Sequence, residues 1–312
     1  MQGKNTWLFG AGQWGQKYID TYGTSACKGF IDNSLNKQGT KIKNVEVYSY
    51  ERFKKQFNHD TDVIYIAVHS GRDAIYLQLF ADKLHIFAKA YIPERGIVRV
   101  EDSWDKMINS QLGEEIGLRH YFNCNGLLNG YKGFYLDIGA YHPFIYNNTR
   151  WAYELGWRGM NIDPNEQGMK LFHAFRSEDI NLNCGVSDEN GELMYYMYGA
   201  EGKNSFLADQ KAILSAAGSR SVSVRNINDI LEEYHIENID FVDIDVEGLD
   251  EKIVNTFNWK KYRPRCVLIE LLGQESVEDV LNTGIHQKMK KEGYLLKSFY
   301  TVTALYVRND ES

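Results

Sequence analysis

The segment Asp243-Ile-Asp245-Val-Glu247-Gly248 sets three carboxylates two residues apart. On a strand, alternate side chains share a face, so the acids line one side while Val242, Ile244 and Val246 fill the other. Like charges this close must be solvated, share protons, or hold a cation or a hydrogen-bond donor. Such a group can take the proton of a hydroxyl, and Asp243 with Asp245 can ligate a Mg2+ ion through oxygen. His142, in a turn, is a second proton acceptor, of a type that titrates near neutral pH, although a histidine in a turn is as often plain polar surface. Glu247 has an alternative duty at the start of a helix read at 248–257, where the helix dipole favours a carboxylate. Glu270 closes a further strand and is expected to line the substrate pocket.

Two other strand ends supply the partner for this acidic wall. Phe134-Tyr-Leu-Asp137-Ile-Gly139-Ala140 is an apolar run ending in an acid and a glycine, and Gly159-Met-Asn-Ile-Asp163 ends in a second acid. Doubly wound α/β domains hold nucleosides at such strand ends. The glycine is expected to let backbone approach the ligand, and the second acid to accept hydrogen bonds from ribose hydroxyls. The turn Gly139-Ala-Tyr-His-Pro143 lacks the glycine series whose bare amides bind a pyrophosphate. S-adenosylmethionine has no phosphate, and Asp137, Gly139 and Asp163 match its smaller demands. The plainer alternative is a buried strand with a turn glycine and an incidental acid. Tyr141, Tyr146 and Trp151 are suited to stack on a sugar face or to pack in the core.

The block Asp137-Ile-Gly-Ala-Tyr-His-Pro143, Asn147-Asn-Thr149, Gly156-Trp-Arg-Gly159 and Ile162-Asp-Pro-Asn165 resembles the FkbM family of S-adenosylmethionine-dependent methyltransferases. Asn181-Leu-Asn-Cys-Gly-Val-Ser-Asp188 with Gly191, then Asp243 to Gly248, then Arg263-Pro264 leading to Ile269-Glu270, extend the resemblance over roughly residues 126–310. It implies a class I, Rossmann-like methyltransferase domain with a mixed seven-stranded sheet. It also implies O-methylation, often of sugar hydroxyls in surface polysaccharides or glycosylated natural products. The resemblance places Asp137, Gly139 and Ala140 at the methionine end, Asp163 at the ribose, and Ser187 and Asp188 near the adenine. Asp188 also fits an ordinary hairpin turn. Asn148 and Thr149 open the first helix as caps or touch the cofactor, and Asp243 joins the cofactor site. Asp245, with Glu247 and His142, is assigned to the transferring methyl. Asp163 stands where many relatives carry Glu, and either carboxylate reaches a ribose.

The elements that must position these groups form two α/β alternations. A chain of 312 residues is long for one core. The reading is a small Rossmann-like domain at 1–97, a helical connector at 98–125 and the methyltransferase domain at 126–312. In the second domain, strands are expected at 134–138, 159–162, 180–184, 241–246 and 266–270, followed by a hairpin of 294–298 and 303–307. The last strand is placed antiparallel at the sheet edge. Short extra strands are read at 193–198 and 221–224. In the first domain, strands are read at 6–10, 28–31, 45–48, 62–68 and 84–87, with helices between.

Gly10-x-Gly12-x-x-Gly15 follows the first strand and opens a helix, with Asp32 at the end of the second strand. This is the context of a nucleotide fingerprint, suited to the nucleotide part of a sugar donor. The alternative is a packing or dimerisation module with an empty glycine turn, which would make a homodimer. A rival function follows from the same motif: an NAD(P)-dependent oxidoreductase or epimerase acting on a nucleotide sugar. The short first domain and the lack of a following Tyr-x-x-x-Lys pair stand against it.

The net charge of −7 and the absence of a Lys/Arg block disfavour nucleic acid as a partner. The four cysteines have no metal-ligand spacing and read as reduced thiols. No signal peptide or membrane-length apolar run is read, so the expectation is a cytoplasmic enzyme acting on a small-molecule or glycan hydroxyl.

Overall fold

The computed structural model describes residues 5–104, 109–198, 206 and 216–309. The chain divides into two compact units, 1–105 and 106–312. Each unit is built on a seven-stranded sheet. Among the described residues, no helix is long and apolar enough to cross a membrane.

The first unit has strands β1 (Asn5–Phe9), β2 (Gly29–Ile31), β3 (Lys41–Ile42), β4 (Val45–Tyr48), β5 (Asp62–Ile66), β6 (Ala88–Ile92) and β7 (Gly96–Val98). Their order is β3-β4-β2-β1-β5-β6-β7. The pairs from β4 through β6 are parallel, and β3 and β7 add antiparallel edges. The sequence reading placed a strand at 84–87. That segment is instead a turn of 3-10 helix at His85–Phe87, and the strand begins at Ala88. Burial decides the register, because Ala90 and Tyr91 are inside whereas Ile86 is 72% exposed. The expected helical connector also differs. Residues 96–98 pair in the sheet, Glu101–Trp104 form a 3-10 turn, Glu114–Cys124 form a helix, and 105–108 lie outside the described residues.

The second unit carries β8 (Phe134–Ile138), β9 (Arg158–Ile162), β10 (Ile180–Leu182), β14 (Phe241–Ile244), β15 (Cys266–Glu270), β16 (Tyr294–Tyr300) and β17 (Thr303–Arg308). The order is β10-β9-β8-β14-β15-β17-β16. The first five are parallel, and β17 is antiparallel to both of its neighbours. The last strand is therefore antiparallel as expected, but it lies inside the sheet and β16 forms the edge. Its burial explains this: Ala304, Leu305, Tyr306 and Val307 are all inside, whereas Leu295 of β16 is 45% exposed. The two short extra strands are longer than read. They belong to a separate sheet of β11 (Gly185–Ser187), β13 (Gly218–Asn226) and β12 (Gly191–Met197), in that order.

Parallel strands covered on both faces need apolar side chains on both sides. Tyr135, Leu136, Ile138, Phe241, Val242, Ile244, Val267, Leu268 and Ile269 satisfy this with no measurable exposure. Each contributes about 1.5–3 kcal/mol by leaving water. From β8 the chain moves through β9 and β10 to one side, and β14 and β15 fill the other. The order thus reverses between β8 and β14, and a crevice at the carboxyl ends of these strands is the expected ligand position.

Gly139 makes that crevice possible. Its φ is +92°, and a Cβ there would stand 1.6 Å from the carbonyl oxygen of Asp245. The same glycine that lines the cleft also admits the backbone of the neighbouring strand end. Gly139→Ala is expected to cost at least about 3 kcal/mol of stability in urea unfolding, since backbone rather than a flexible side chain must yield. A midpoint equal to that of the wild type would contradict this packing.

Candidate functional site

Beyond β8 and β14, backbone hydrogen bonds fix the strand ends to one another. Asp245 N–H donates to Ile138 O at 2.9 Å, and Gly139 N–H donates to Ile162 O at 2.9 Å. The cleft above them has a volume of about 240 Å³. Ile138, Gly139, Ile162 and Asp163 line it from β8 and β9, and Asp245, Val246 and Glu247 from the turn after β14. Cys184, Val186, Tyr195 and Phe206 form an apolar side, partly from the small three-stranded sheet. Tyr141 and Tyr146 also face the cleft, with their rings stacked at 6.3 Å. Both have φ of +51°, as does Glu247. Left-handed backbone at non-glycine residues is costly and collects at functional sites.

Asp163 is buried, and both its oxygens are held. Tyr141 N–H donates to Oδ2 at 2.8 Å and Asn165 N–H to Oδ1 at 2.6 Å. Burial raises its carboxyl above the ordinary value, against the lowering effect of these amides and of Arg220. Each oxygen keeps a lone pair for a further donor, as a carboxylate can accept about four bonds.

Four residues expected at the cofactor site, Asp137, Asp243, Asn148 and Thr149, hydrogen-bond to one another. Thr149 Oγ1 donates to Asp137 Oδ2 at 2.8 Å, and Asn147 Nδ2 reaches the same oxygen at 3.3 Å. Asn148 Nδ2 donates to Asp243 Oδ2 at 2.9 Å. Asp137 and Asp243 are cross-strand neighbours in the register of β8 and β14. Arg176 completes the knot: its guanidinium donates to Thr149 Oγ1 at 2.9 Å, Asn147 Oδ1 at 2.8 Å and Pro143 O at 2.6 Å. Asp137, Asp243, Asn148 and Thr149 are not among the residues lining the cleft.

His142 is likewise buried, and its Nδ1 accepts the N–H groups of Phe144 at 3.0 Å and Ile145 at 3.2 Å. It shapes the turn and is not part of the cleft wall. Trp151, one of the suggested sugar-stacking rings, packs in the core against Phe122 and Trp157. Ser187 Oγ donates to Asp188 Oδ1 at 2.8 Å, and Asp188 pairs with Lys252 at 3.1 Å at the surface. Ala140 is buried beside the cleft, and its N–H donates to Ile162 O at 3.2 Å.

The acids that converge differ from the expected set. Carboxylate oxygens of Asp245, Glu247 and Glu270 lie within 4.8 Å of one another, and Asp243 is not in this group. Burial, then the neighbouring Asp250 and Glu247, raise the Asp245 carboxyl well above the ordinary value. Burial, then Asp245, push the Glu270 carboxyl up to about 11. Glu247 does not cap the following helix. That helix, Asp250–Thr256, follows Leu249 without a side-chain cap, and Asp250 fixes the preceding turn, accepting from Val246 N–H at 3.1 Å and Gly248 N–H at 3.0 Å.

In the first unit, a Cβ on Gly15 would stand 2.0 Å from Gly10 O, so these two glycines serve the close contact of strand and helix. Gly12 faces open space. The Asp32 carboxylate is occupied by Ala11 N–H at 3.0 Å, Ser34 N–H at 2.9 Å and Lys37 at 3.1 Å.

Sequence reasoning did not find Arg176, Asp250, Tyr195 or Phe206. Arg176 ends a helix, and its partners lie about thirty residues earlier in the chain, a distance at which spacing carries no signal.

A doubly wound sheet with a crevice at its strand ends, lined by the buried Asp163 and an acidic wall, has the ligand-binding architecture of α/β enzymes. A family model described as the methyltransferase FkbM domain matches residues 137–296, more than half of the chain. The chain belongs to the FkbM methyltransferase family. Among solved structures it is similar to a methyltransferase FkbM from Methylobacillus flagellatus KT, at 12% identity, over 98% of this chain and 90% of that one, with a TM-score of 0.34. No curated protein matches significantly.

The buried Asp137 gives the fold a pH dependence. Burial pushes its carboxyl up to about 6, against Thr149 and Arg176, which lower it. A folded value above the unfolded one, about 3.9, means the fold favours the protonated acid. That stabilisation is complete below the unfolded value and is lost as pH rises through about 6, for a difference of about 3 kcal/mol. Urea midpoints should therefore fall between about pH 4 and pH 7, and Asp137→Asn should narrow the fall. An unchanged fall in the variant would contradict the assignment.

Proposed function

We propose that this methyltransferase transfers the methyl group of S-adenosylmethionine to a hydroxyl of a sugar, either nucleotide-linked or part of a surface-polysaccharide precursor, with Mg2+ beside the acids that follow β14. The observation that carries the reading is Asp163. It is a buried carboxylate fixed by two amides on a cleft wall, and the acids Asp245 and Glu247 line the same cleft. The residues fit the cofactor. Asp163 retains acceptor capacity for two ribose hydroxyls, and Val186, Tyr195 and Phe206 offer an apolar face for a base. The buried acids suit a cationic sulfonium far better than an anionic pyrophosphate.

When bound, the sulfonium supplies an electrophilic methyl: the acceptor oxygen forms the new C–O bond, the C–S bond breaks, and a neutral thioether leaves. The protein's part is alignment and proton removal. Asp245 lines the cleft, where its carboxylate can receive the hydroxyl proton. Tyr141 and Tyr146 present ring faces for the acceptor, and their stacked arrangement suits a flat apolar sugar face. Asp137, Asp243, Asn148, Thr149 and Arg176 act as positioning residues that hold the loop carrying these tyrosines.

Three measurements test this. Calorimetry on the full chain should show binding of S-adenosylhomocysteine, and heat only with NAD(H) would end the proposal. Incubation with S-adenosylmethionine and a panel of nucleotide sugars should add the mass of one methyl substitution to one of them. Asp245→Asn is expected to keep S-adenosylhomocysteine affinity within a few-fold while lowering turnover by about 10²–10⁴. Unchanged turnover would remove Asp245 from the reaction.

A further inference from the structure

We propose that Asp245, Glu247 and Glu270 bind a single divalent cation of the Mg2+ class at the acceptor end of the cleft. The proposal rests on the methyl-transfer reading only for the word acceptor, since the binding itself needs nothing but these three side chains.

The first observation is geometric. The three residues come from the turn after β14 and the end of β15, and one carboxylate oxygen of each lies within 4.8 Å of the other two. Asp245 and Glu247 face the cleft. The second observation is an orphan. Glu270 is 6% exposed, and its Oε2 is buried with no hydrogen-bond partner among the described residues. Its close polar neighbours in the cluster are two other acids. Buried polar atoms are almost always satisfied, and an exception calls for an ion or ligand.

The rest of the unit shows how this fold treats its other buried acids. Asp240 receives the Tyr131 hydroxyl at 2.7 Å, Phe134 N–H at 3.0 Å and the Arg265 guanidinium at 3.1 Å. Asp179 receives Gly159 N–H at 2.9 Å and Asn161 Nδ2 at 3.0 Å, and Glu115 receives two backbone amides at 3.2 Å. Glu270 instead meets the carboxyl of another acid, Asp245, and its Oε2 has no hydrogen-bond partner among the described residues. A cation would meet that oxygen and the two acids beside it at once.

The donor set selects the class. All three ligands are hard oxygens, with no imidazole or thiolate in the group, which suits Mg2+, Mn2+ or Ca2+ rather than zinc or copper. The set is also held in place, because Asp250 accepts the N–H groups of Val246 and Gly248 on either side of Glu247. Three protein ligands leave octahedral positions for water and for an acceptor hydroxyl, which a bound cation would acidify.

The test uses Mn2+ as the probe, followed by electron paramagnetic resonance on the full chain, with Mg2+ as competitor. One Mn2+ per chain is expected, displaced by Mg2+. Glu270→Gln keeps the shape of the side chain and should weaken Mn2+ by at least about tenfold, since even residues behind the ligands cost that much. Glu178→Gln, an acid at the surface outside the group, should bind as the wild type does. Glu247→Gln serves as the second variant should Glu270→Gln fail to fold. No bound Mn2+ at millimolar concentration, or wild-type affinity in the folded ligand variants, would overturn the site. S-adenosylhomocysteine affinity measured on the same samples separates the two readings. Homocysteine-nucleoside binding without Mn2+ sinks the cation alone, and Mn2+ binding without it sinks the methyl-donor reading alone.

Discussion

The contact on which this cleft depends is between two backbones. Gly139 lets the end of β8 lie against the carbonyl of Asp245, closer than any side chain would permit. Asp245 N–H and Gly139 N–H then tie three strand ends together through Ile138 O and Ile162 O. With those bonds made, Asp163 on one wall and Asp245 and Glu247 on the other have fixed positions around the same space. Removing the approach would loosen every group in the site at once, because none of them is held by its own side chain alone.

A second constraint is electrostatic. The carboxyl edge of this sheet gathers Asp137, Asp163, Asp243, Asp245, Asp250 and Glu270, all of them shifted toward the protonated form by burial. Part of this charge is answered internally, by Arg176, by the Asn147-Asn148-Thr149 segment and by backbone amides. Asp245 and Glu270 meet each other's carboxyls. At the cleft itself, Asp163 is held by two backbone amides, and Glu270 keeps one buried oxygen without a hydrogen-bond partner among the described residues.

Much of this architecture was legible in the sequence. The five parallel strands announce themselves as apolar runs because both faces are buried, and the ends at Asp163 and Asp245 follow directly. The positions of β16 and β17 did not, since two adjacent apolar strands do not say which one enters the sheet. The strand after residue 84 was placed too early because Leu84-His-Ile-Phe87 is as apolar as Ala88–Ile92, and only tertiary burial separates them. Within the site, acids at strand ends were found readily, but their fates were not. Asp137 and Asp243 look the same in sequence as Asp245, yet the first two are consumed by Thr149, Asn147 and Asn148. Glu270 was seen as a pocket residue, and its convergence with Asp245 and Glu247 depends on the register between β14 and β15. His142 is a base candidate because imidazole titrates near neutral pH; here the chain folds its own amides onto Nδ1, which sequence does not show.

The central claim is that the second unit encloses a nucleoside with its sulfur turned toward the acids after β14. A crystal structure of the full chain with S-adenosylhomocysteine tests it most directly. The account predicts ribose hydroxyls on Asp163, the base against Tyr195 and Phe206, and the sulfur facing Asp245. Density for the ligand outside this cleft, or a ribose with no contact to Asp163, would contradict it.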